Sequence, residues 1–144
     1  METFQPPRPE PHGLLSDLGL GGDRAAWIEA LQEGLPTGVF TTLARRLGVS
    51  EAELARTVGL SSTTLARRKR SGTLTTAEGE HVLRVAALLA RATQVFEEEA
   101  DAADWLRSDN LALGGVTPLT LAETEFGARE VEDLLGRLEH GVYT

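Results

Sequence analysis

Apolar residues recur at spacings of three and four along most of the chain, which is the period of an amphipathic α-helix. Two such series precede residue 50. The first comprises Trp27, Ile28, Leu31 and Leu35, and the second comprises Val39, Phe40, Leu43 and Leu47. No alternating run of β-branched residues predicts a strand. The pattern therefore predicts an all-α fold.

Polar residues mark where four of these helices begin. Residues 50–53 and 75–78 each place Ser or Thr three positions before Glu, which is the pattern of a capping box. Thr117 precedes Pro118, and proline suits the first helical position because its missing N–H has no partner there. Thr124 precedes the last amphipathic segment, so we expect it to cap the final helix.

Residues 50–71 have the pattern of a Cro-like helix-turn-helix. We expect a short first helix, a stop at Gly59 and a second helix capped by Ser61, because glycine tolerates a left-handed backbone and serine accepts from free amides. Leu54 in the first helix and Leu65 in the second are spaced to meet in the core.

The second helix of this unit has a polar and basic outer face. Thr63, Arg67 and Arg70 form its central stripe. In DNA-binding proteins of this kind the N-terminal residues of the second helix reach base edges, while hydroxyl, Lys and Arg groups contact phosphates. We therefore predict DNA contacts by Ser61, Ser62, Thr63, Thr64, Arg67, Arg68, Lys69 and Arg70. The alternative is a helical hairpin whose basic stripe is only a solvated face.

Arg68 departs from the usual pattern of such units. It lies three residues after Leu65, where an apolar residue is common. Either the second helix ends early, or Arg68 extends along the edge of the core with its charge in solvent. The sequence leaves both alternatives open.

Residues 75–97 predict a long helix that is apolar around most of its circumference. A single stripe does not account for these residues, so at least two faces must be buried. One face would pack on the helix-turn-helix, and the other on the C-terminal segment or on a second copy of the chain. A homodimer would suit a DNA-binding protein, because two-fold proteins contact two half-sites. A well-enclosed central helix in a monomer is the alternative.

The prolines and these elements give the expected organisation of the chain. Four of the six prolines lie within residues 1–22, which predicts a flexible, poorly ordered tail. We expect a helix-turn-helix region at 23–74, a connecting or dimerisation helix region at 75–104 and a C-terminal module at 105–144. The carboxylates at 97–104 are interpreted as a solvated helix face, because they lack the converging loop of a divalent-metal site.

The charges of this acidic chain are unevenly distributed along its sequence. The formal net charge of −8 argues by itself against nucleic acid. Residues 41–91, however, hold nine Lys/Arg and four Asp/Glu, a net +5 that leaves −13 on the rest. This asymmetry indicates a basic working surface joined to acidic regions. The chain has no cysteine, no apolar run of about 20 residues and no secretory signal, so we expect a cytoplasmic protein without a membrane segment.

Residues 105–144 carry several short motifs in a fixed order. They are Trp105, Asn110, Leu-Gly-Gly at 113–115, Thr-Pro-Leu at 117–119, Thr124, Gly127 and Glu-His-Gly-Val-Tyr at 139–143. This order closely resembles the C-terminal domain of Xre/ParS-family antitoxins, and with the Cro-like unit the resemblance covers about residues 25–144. It implies a Cro/repressor-like helix-turn-helix bundle followed by a helical toxin-binding module.

The resemblance also implies a function in a type II toxin–antitoxin system. Members of this family pair with a RES-domain toxin that degrades NAD, block its active site and bind their own operator DNA, here as a homodimer within a toxin–antitoxin hetero-oligomer. The implied toxin contacts are Arg129, Arg137, Glu139, His140, Gly141, Val142 and Tyr143. Alternatively, Val142 and Tyr143 fold back onto the core of the chain, and His140 is a simple helix cap.

Two further functions stay open at this point. One is a stand-alone transcription regulator whose C-terminal module senses a ligand or only dimerises. The other is an interaction adaptor with a vestigial DNA-binding unit. No cofactor or metal is implied, and no Ser/His/Asp arrangement, phosphate loop or metal-ligand spacing supports an enzyme.

Overall fold

Side-chain caps and left-handed glycines fix the bounds of most helices in the computed structural model, which describes residues 13–20 and 22–141. The helices are α1 (Leu14–Asp17), α2 (Arg24–Glu33), α3 (Thr37–Leu47), α4 (Glu51–Val58), α5 (Ser62–Ser71), α6 (Thr76–Phe96), α7 (Glu99–Arg107), α8 (Pro118–Leu121) and α9 (Glu125–Glu139). A 3-10 turn at Leu111–Leu113 lies between α7 and α8. The described residues contain no strand, and the all-α prediction is confirmed.

Both predicted capping boxes are present. Ser50 Oγ accepts a hydrogen bond from the N–H of Glu53, and the Glu53 carboxylate accepts from the N–H of Ser50 at 3.3 Å. Thr75 and Glu78 make the same pair of bonds at the start of α6. Gly59 ends α4 with a φ of 76°, a conformation that a Cβ disfavours. These local interactions place α4 and α6 where the sequence predicts them.

The long helix α6 lies at the centre of the fold. It packs against α1, α2, α3 and α4, and also against α7 and α9. Its buried side chains include Val82, Val85, Leu88 and Leu89. Helices of the same chain therefore cover the apolar circumference of α6. The apolar pattern of α6 does not by itself require a second copy of the chain.

The predicted N-terminal tail is wrong for residues 14–20. This segment forms α1 and the turn after it, and it buries four leucines. They are Leu14, Leu15, Leu18 and Leu20. Their apolar area anchors the segment against α6, whereas the prolines that indicated a tail all lie at 6–11. The prediction for residues 1–12 and 21 lies outside the described residues.

One hydrophobic core runs from Leu14 in α1 to Leu135 in α9. The functional division of the chain after residues 74 and 104 stays a prediction. None of the helices in the described ranges is both long enough and apolar enough to cross a membrane. Within those ranges, no three or more His, Asp and Glu side chains converge as a possible metal-ligand set.

Candidate nucleic-acid and partner-protein surfaces

Helix α5 leaves most of its surface in solvent. Ser61 caps its start, where the Ser61 Oγ accepts from the N–H of Thr64 at 3.1 Å and donates to the Thr64 hydroxyl at 3.0 Å. No residue of α5 is buried, and Leu65 packs half-buried against the core. The helix therefore projects from the body of the fold, as a recognition helix must if it is to enter a major groove.

The four basic side chains of α5 fall into two pairs. Arg68 Nε donates to Glu78 Oε1 at 2.7 Å, and Lys69 forms an ion pair with the first glutamate of α4. Arg67 and Arg70 are exposed, and neither forms an ion pair with a described residue. Two of the four predicted cations thus hold the fold together, and two are free to meet a phosphate or a base. The assignment of all four to DNA stays a prediction.

The predicted hydroxyl contacts divide in a similar way. Ser61 and Thr64 are hydrogen-bonded to each other within the cap. Ser62 and Thr63 are exposed in the first turn of α5, and their side chains make no hydrogen bond to a described residue. The first turn is the part of a recognition helix that contacts base edges, so these two hydroxyls have the better placement for DNA.

Arg68 fastens the last turn of α5 to the first turn of α6. Helix α5 continues to Ser71, so the alternative of an early end is wrong, and Arg68 instead lies along the edge of the core. Its partner Glu78 also accepts from the N–H of Thr75 at 2.9 Å. The guanidinium of Arg68 is the main cause of a lowered pKa at Glu78, and the hydrogen bonds from Thr75 add to the effect against the opposing effect of burial.

We expect Glu78→Gln to weaken this junction at neutral pH. Glutamine keeps the capping hydrogen bond but removes the charge that pairs with Arg68. The folded-state pKa of Glu78 lies below its unfolded value of about 4.3, so the ion pair stabilises the fold above that value and is lost as the pH falls through the folded-state pKa. The Tm of the variant should be below wild type at pH 7, and the difference should shrink below about pH 4.

Glu80→Gln is the matched control for this experiment. Glu80 is exposed two residues further along α6 and forms no ion pair with a described residue. Its removal should leave the Tm at pH 7 close to that of wild type. An equal loss of Tm in both variants would assign the effect to net charge rather than to the Arg68 contact.

Helix α9 carries most of the predicted partner contacts, and the structure separates them by role. Glu139 is held by Arg91 of α6 through two hydrogen bonds of 2.8 Å, and this contact is the main cause of its lowered pKa. Arg129 is more loosely placed, at 3.4 Å from Glu125 one turn earlier. Glu139 therefore fastens α9 to α6, and its carboxylate is already engaged within the chain.

Arg137 differs from Glu139 because one of its nitrogen atoms has no hydrogen-bond acceptor. Its Nε is buried without a hydrogen-bond partner, and the side chain makes no ion pair with a described residue. Because the Nε atom is buried, the terminal nitrogens of the guanidinium are the donors that an acceptor from another molecule could reach. His140 and Gly141 follow at the exposed end of α9. The last two predicted contacts, Val142 and Tyr143, lie outside the described residues.

Phe126 in the first turn of α9 carried no predicted role. Its side chain is 74% exposed, although an aromatic residue in an amphipathic helix is usually assigned to the core. The residues three, four and seven positions later are Arg129, Glu130 and Asp133. These charged neighbours place Phe126 on the polar face, and they are the signal that could have identified it.

Two family models match adjoining parts of this chain. Residues 26–87 match the antitoxin Xre-like helix-turn-helix domain. Residues 91–141 match the antitoxin Xre/MbcA/ParS C-terminal toxin-binding domain. The boundary between the two matches falls within α6, so one continuous helix contributes to both domains.

Three relatives carry the name Antitoxin Xre. The protein from Yersinia enterocolitica is 31% identical over 148 residues that cover 100% of both chains. The protein from Photorhabdus laumondii is 31% identical over 78% of this chain and 77% of its own. The protein from Pseudomonas putida is 32% identical over 51% of this chain and 46% of its own.

Proposed function

Because this chain belongs to the Xre family of antitoxins, we propose that it neutralises a RES-domain toxin that degrades NAD, by occluding the active site of that toxin. We also propose that it binds operator DNA through α5 and represses its own transcription. The family predicted from the C-terminal motifs is confirmed, and the chain is a non-enzymatic regulatory protein with a helix-turn-helix domain and a toxin-binding domain.

The end of α9 is the observation that carries the toxin part of the proposal. The motif at residues 139–143 is the last of the motifs by which residues 105–144 resemble Xre/ParS-family antitoxins. Immediately before it, Arg137 keeps a buried Nε without an acceptor. A sequence motif for partner binding thus follows closely after a cation that has no ion-pair partner among the described residues. A toxin that offers a carboxylate at this position would satisfy the arginine.

The DNA part of the proposal rests on Arg67 and Arg70. Both are exposed and unpaired among the described residues, on a helix that buries none of its side chains. Arginine forms bidentate hydrogen bonds with guanine edges and also pairs with phosphates. A homodimer within the toxin–antitoxin complex would place two such helices on two half-sites.

Co-expression with the protein encoded by the adjoining reading frame tests the toxin part. We expect that protein alone to deplete cellular NAD and arrest growth, and the full chain to restore both. A chain ending at Gly141 should fail to restore them, because it lacks the predicted apolar-aromatic tail. It keeps Glu139, so the contact with Arg91 on α6 is preserved and loss of rescue does not follow from loss of that contact.

Deletion of residues 2–4 is the matched control, since it removes the same number of residues at the opposite end of the chain. It should restore growth as the full chain does. Rescue by the chain that ends at Gly141 would refute occlusion by the tail. An adjoining gene product that leaves NAD unchanged would refute the RES assignment.

A further inference from the structure

An outward stripe runs along α9 on the side away from the core. With 3.6 residues per turn, Phe126, Asp133 and Arg137 lie within a narrow sector of the helix. Val131 and Leu135 lie on the opposite side and are fully buried. Phe126 and Arg137 are 11 positions apart, or about 16 Å along the axis, which fits within one partner footprint of ordinary size.

The first turn of α9 is fixed so that Phe126 stays exposed. Thr124 caps the helix, accepting from the N–H of Gly127 at 3.0 Å. Gly127 packs directly on the backbone of Leu121, with no space for a Cβ. Phe126 is one residue, or about 100°, around the helix from that contact and points away from it. Its phenyl ring is therefore presented on a rigid backbone.

Exposed apolar side chains are concentrated in the domain that matches the toxin-binding family. Four large apolar residues are exposed among residues 13–20 and 22–141. They are Ile28, Leu111, Val116 and Phe126. Three of these lie within 91–141. Phe126 is the aromatic one, and aromatic anchors near charged groups are typical of residues that dominate binding energy.

We propose that Phe126 is an anchor residue for the toxin, inserting its ring into an apolar pocket of that protein while Arg137, three turns further along α9, pairs with a toxin carboxylate. This inference rests on the proposed function, since it requires that the chain bind a toxin at all. The match of residues 91–141 to a toxin-binding domain favours the toxin over a second copy of the chain as the occupant. Arg137 lies on the same sector of α9 and forms no ion pair with a described residue, so the terminal nitrogens of its guanidinium can meet a carboxylate on the same partner surface.

Phe126→Ala tests the proposal, with Ile28→Ala as the matched control. Ile28 is also exposed and apolar but lies in α2, outside the toxin-binding match. Biolayer interferometry with the purified product of the adjoining gene should give a Kd at least about 30-fold higher for Phe126→Ala. Ile28→Ala should change the Kd less than about 3-fold, and Phe126→Leu, which keeps apolar area, should lie between the two. Both alanine variants should keep the wild-type Tm, because neither side chain is buried.

The outcomes separate the inference from the proposed function. If wild type binds tightly and Phe126→Ala binds equally well, the anchor assignment is overturned while the antitoxin function stands. If wild type itself shows no binding, both fall together. Light scattering of the free chain measures its oligomeric state and tests whether Phe126 contacts a second copy. Conversion of a dimer to a monomer by Phe126→Ala, with unchanged toxin affinity, would assign the phenyl to a second copy and overturn the proposal.

Discussion

Replacing Gly127 with alanine is expected to lower the Tm by about 10 °C. A Cβ at this position would overlap the carbonyl oxygen of Leu121. Because that atom belongs to the backbone, no side-chain rotation relieves the overlap, and α8 must separate from α9. Overpacking against backbone costs about 3 kcal/mol or more. In a chain of this size, that loss corresponds to the stated change in Tm.

Gly136→Ala in the same helix is the matched control for this prediction. No atom lies within 4 Å of a Cβ at Gly136, so the only change is the higher helix propensity of alanine. Its Tm is expected to rise by about 2–3 °C. Differential scanning calorimetry measures both variants under the same conditions. A Gly127→Ala chain that unfolded as late as wild type would contradict the close packing of α8 on α9.

Removing both free cations of α5, by Arg67→Ala with Arg70→Ala, is expected to weaken operator binding at least about 30-fold at 0.15 M salt. Neither side chain has an ion-pair partner within the described chain, so their loss leaves the fold unchanged. Each lost phosphate contact also reduces the dependence of log K on log salt by about one. Mobility-shift titrations on the DNA upstream of its own reading frame, at several salt concentrations, measure both effects.

Arg24→Ala provides the control for charge alone. Arg24 is exposed at the start of α2, outside the basic segment 41–91. Its loss should leave the affinity for operator DNA within about 3-fold of wild type, because only nearby phosphates contribute strongly. If the double variant binds as tightly as wild type, α5 is not the recognition helix. The operator contacts assigned to Arg67 and Arg70 would then be wrong, and another basic surface of the chain would have to bind the DNA.

Local signals made most of the helical fold predictable. The capping boxes that start at Ser50 and Thr75 depend on residues only three positions apart, and the left-handed stop at Gly59 depends on one residue. Such features form wherever those residues occur next to an amphipathic segment. The C-terminal motifs then identified the family, which helical periodicity alone does not distinguish from other helical regulators.

Which charged residues of each surface pair within the chain, and which stay available to a partner, depends on long-range contacts. Local sequence patterns do not contain these contacts. An arginine on a helix has the same local pattern whether it meets a glutamate of its own chain or a phosphate of another molecule. Arg68 is paired across ten positions and Arg91 across 48. Helix α1 likewise depends on a long-range contact, because its leucines are buried against α6. The two surfaces inferred from the sequence stay predictions, while the structure distinguishes Arg67 from Arg68 and Arg137 from Glu139 by their contacts.

Helix α6 makes the stability of the two family domains depend on each other. It contributes to both family domains, and its apolar sides are covered by α1–α4 and by α7 and α9. A protease that cut the chain after α7 would strip α9 from α6 and expose apolar surface on the helix that supports α5. We expect the helix-turn-helix domain to lose stability as well, because apolar area on α6 would be exposed to water. A single cut between α7 and α9 would therefore weaken both family domains at once.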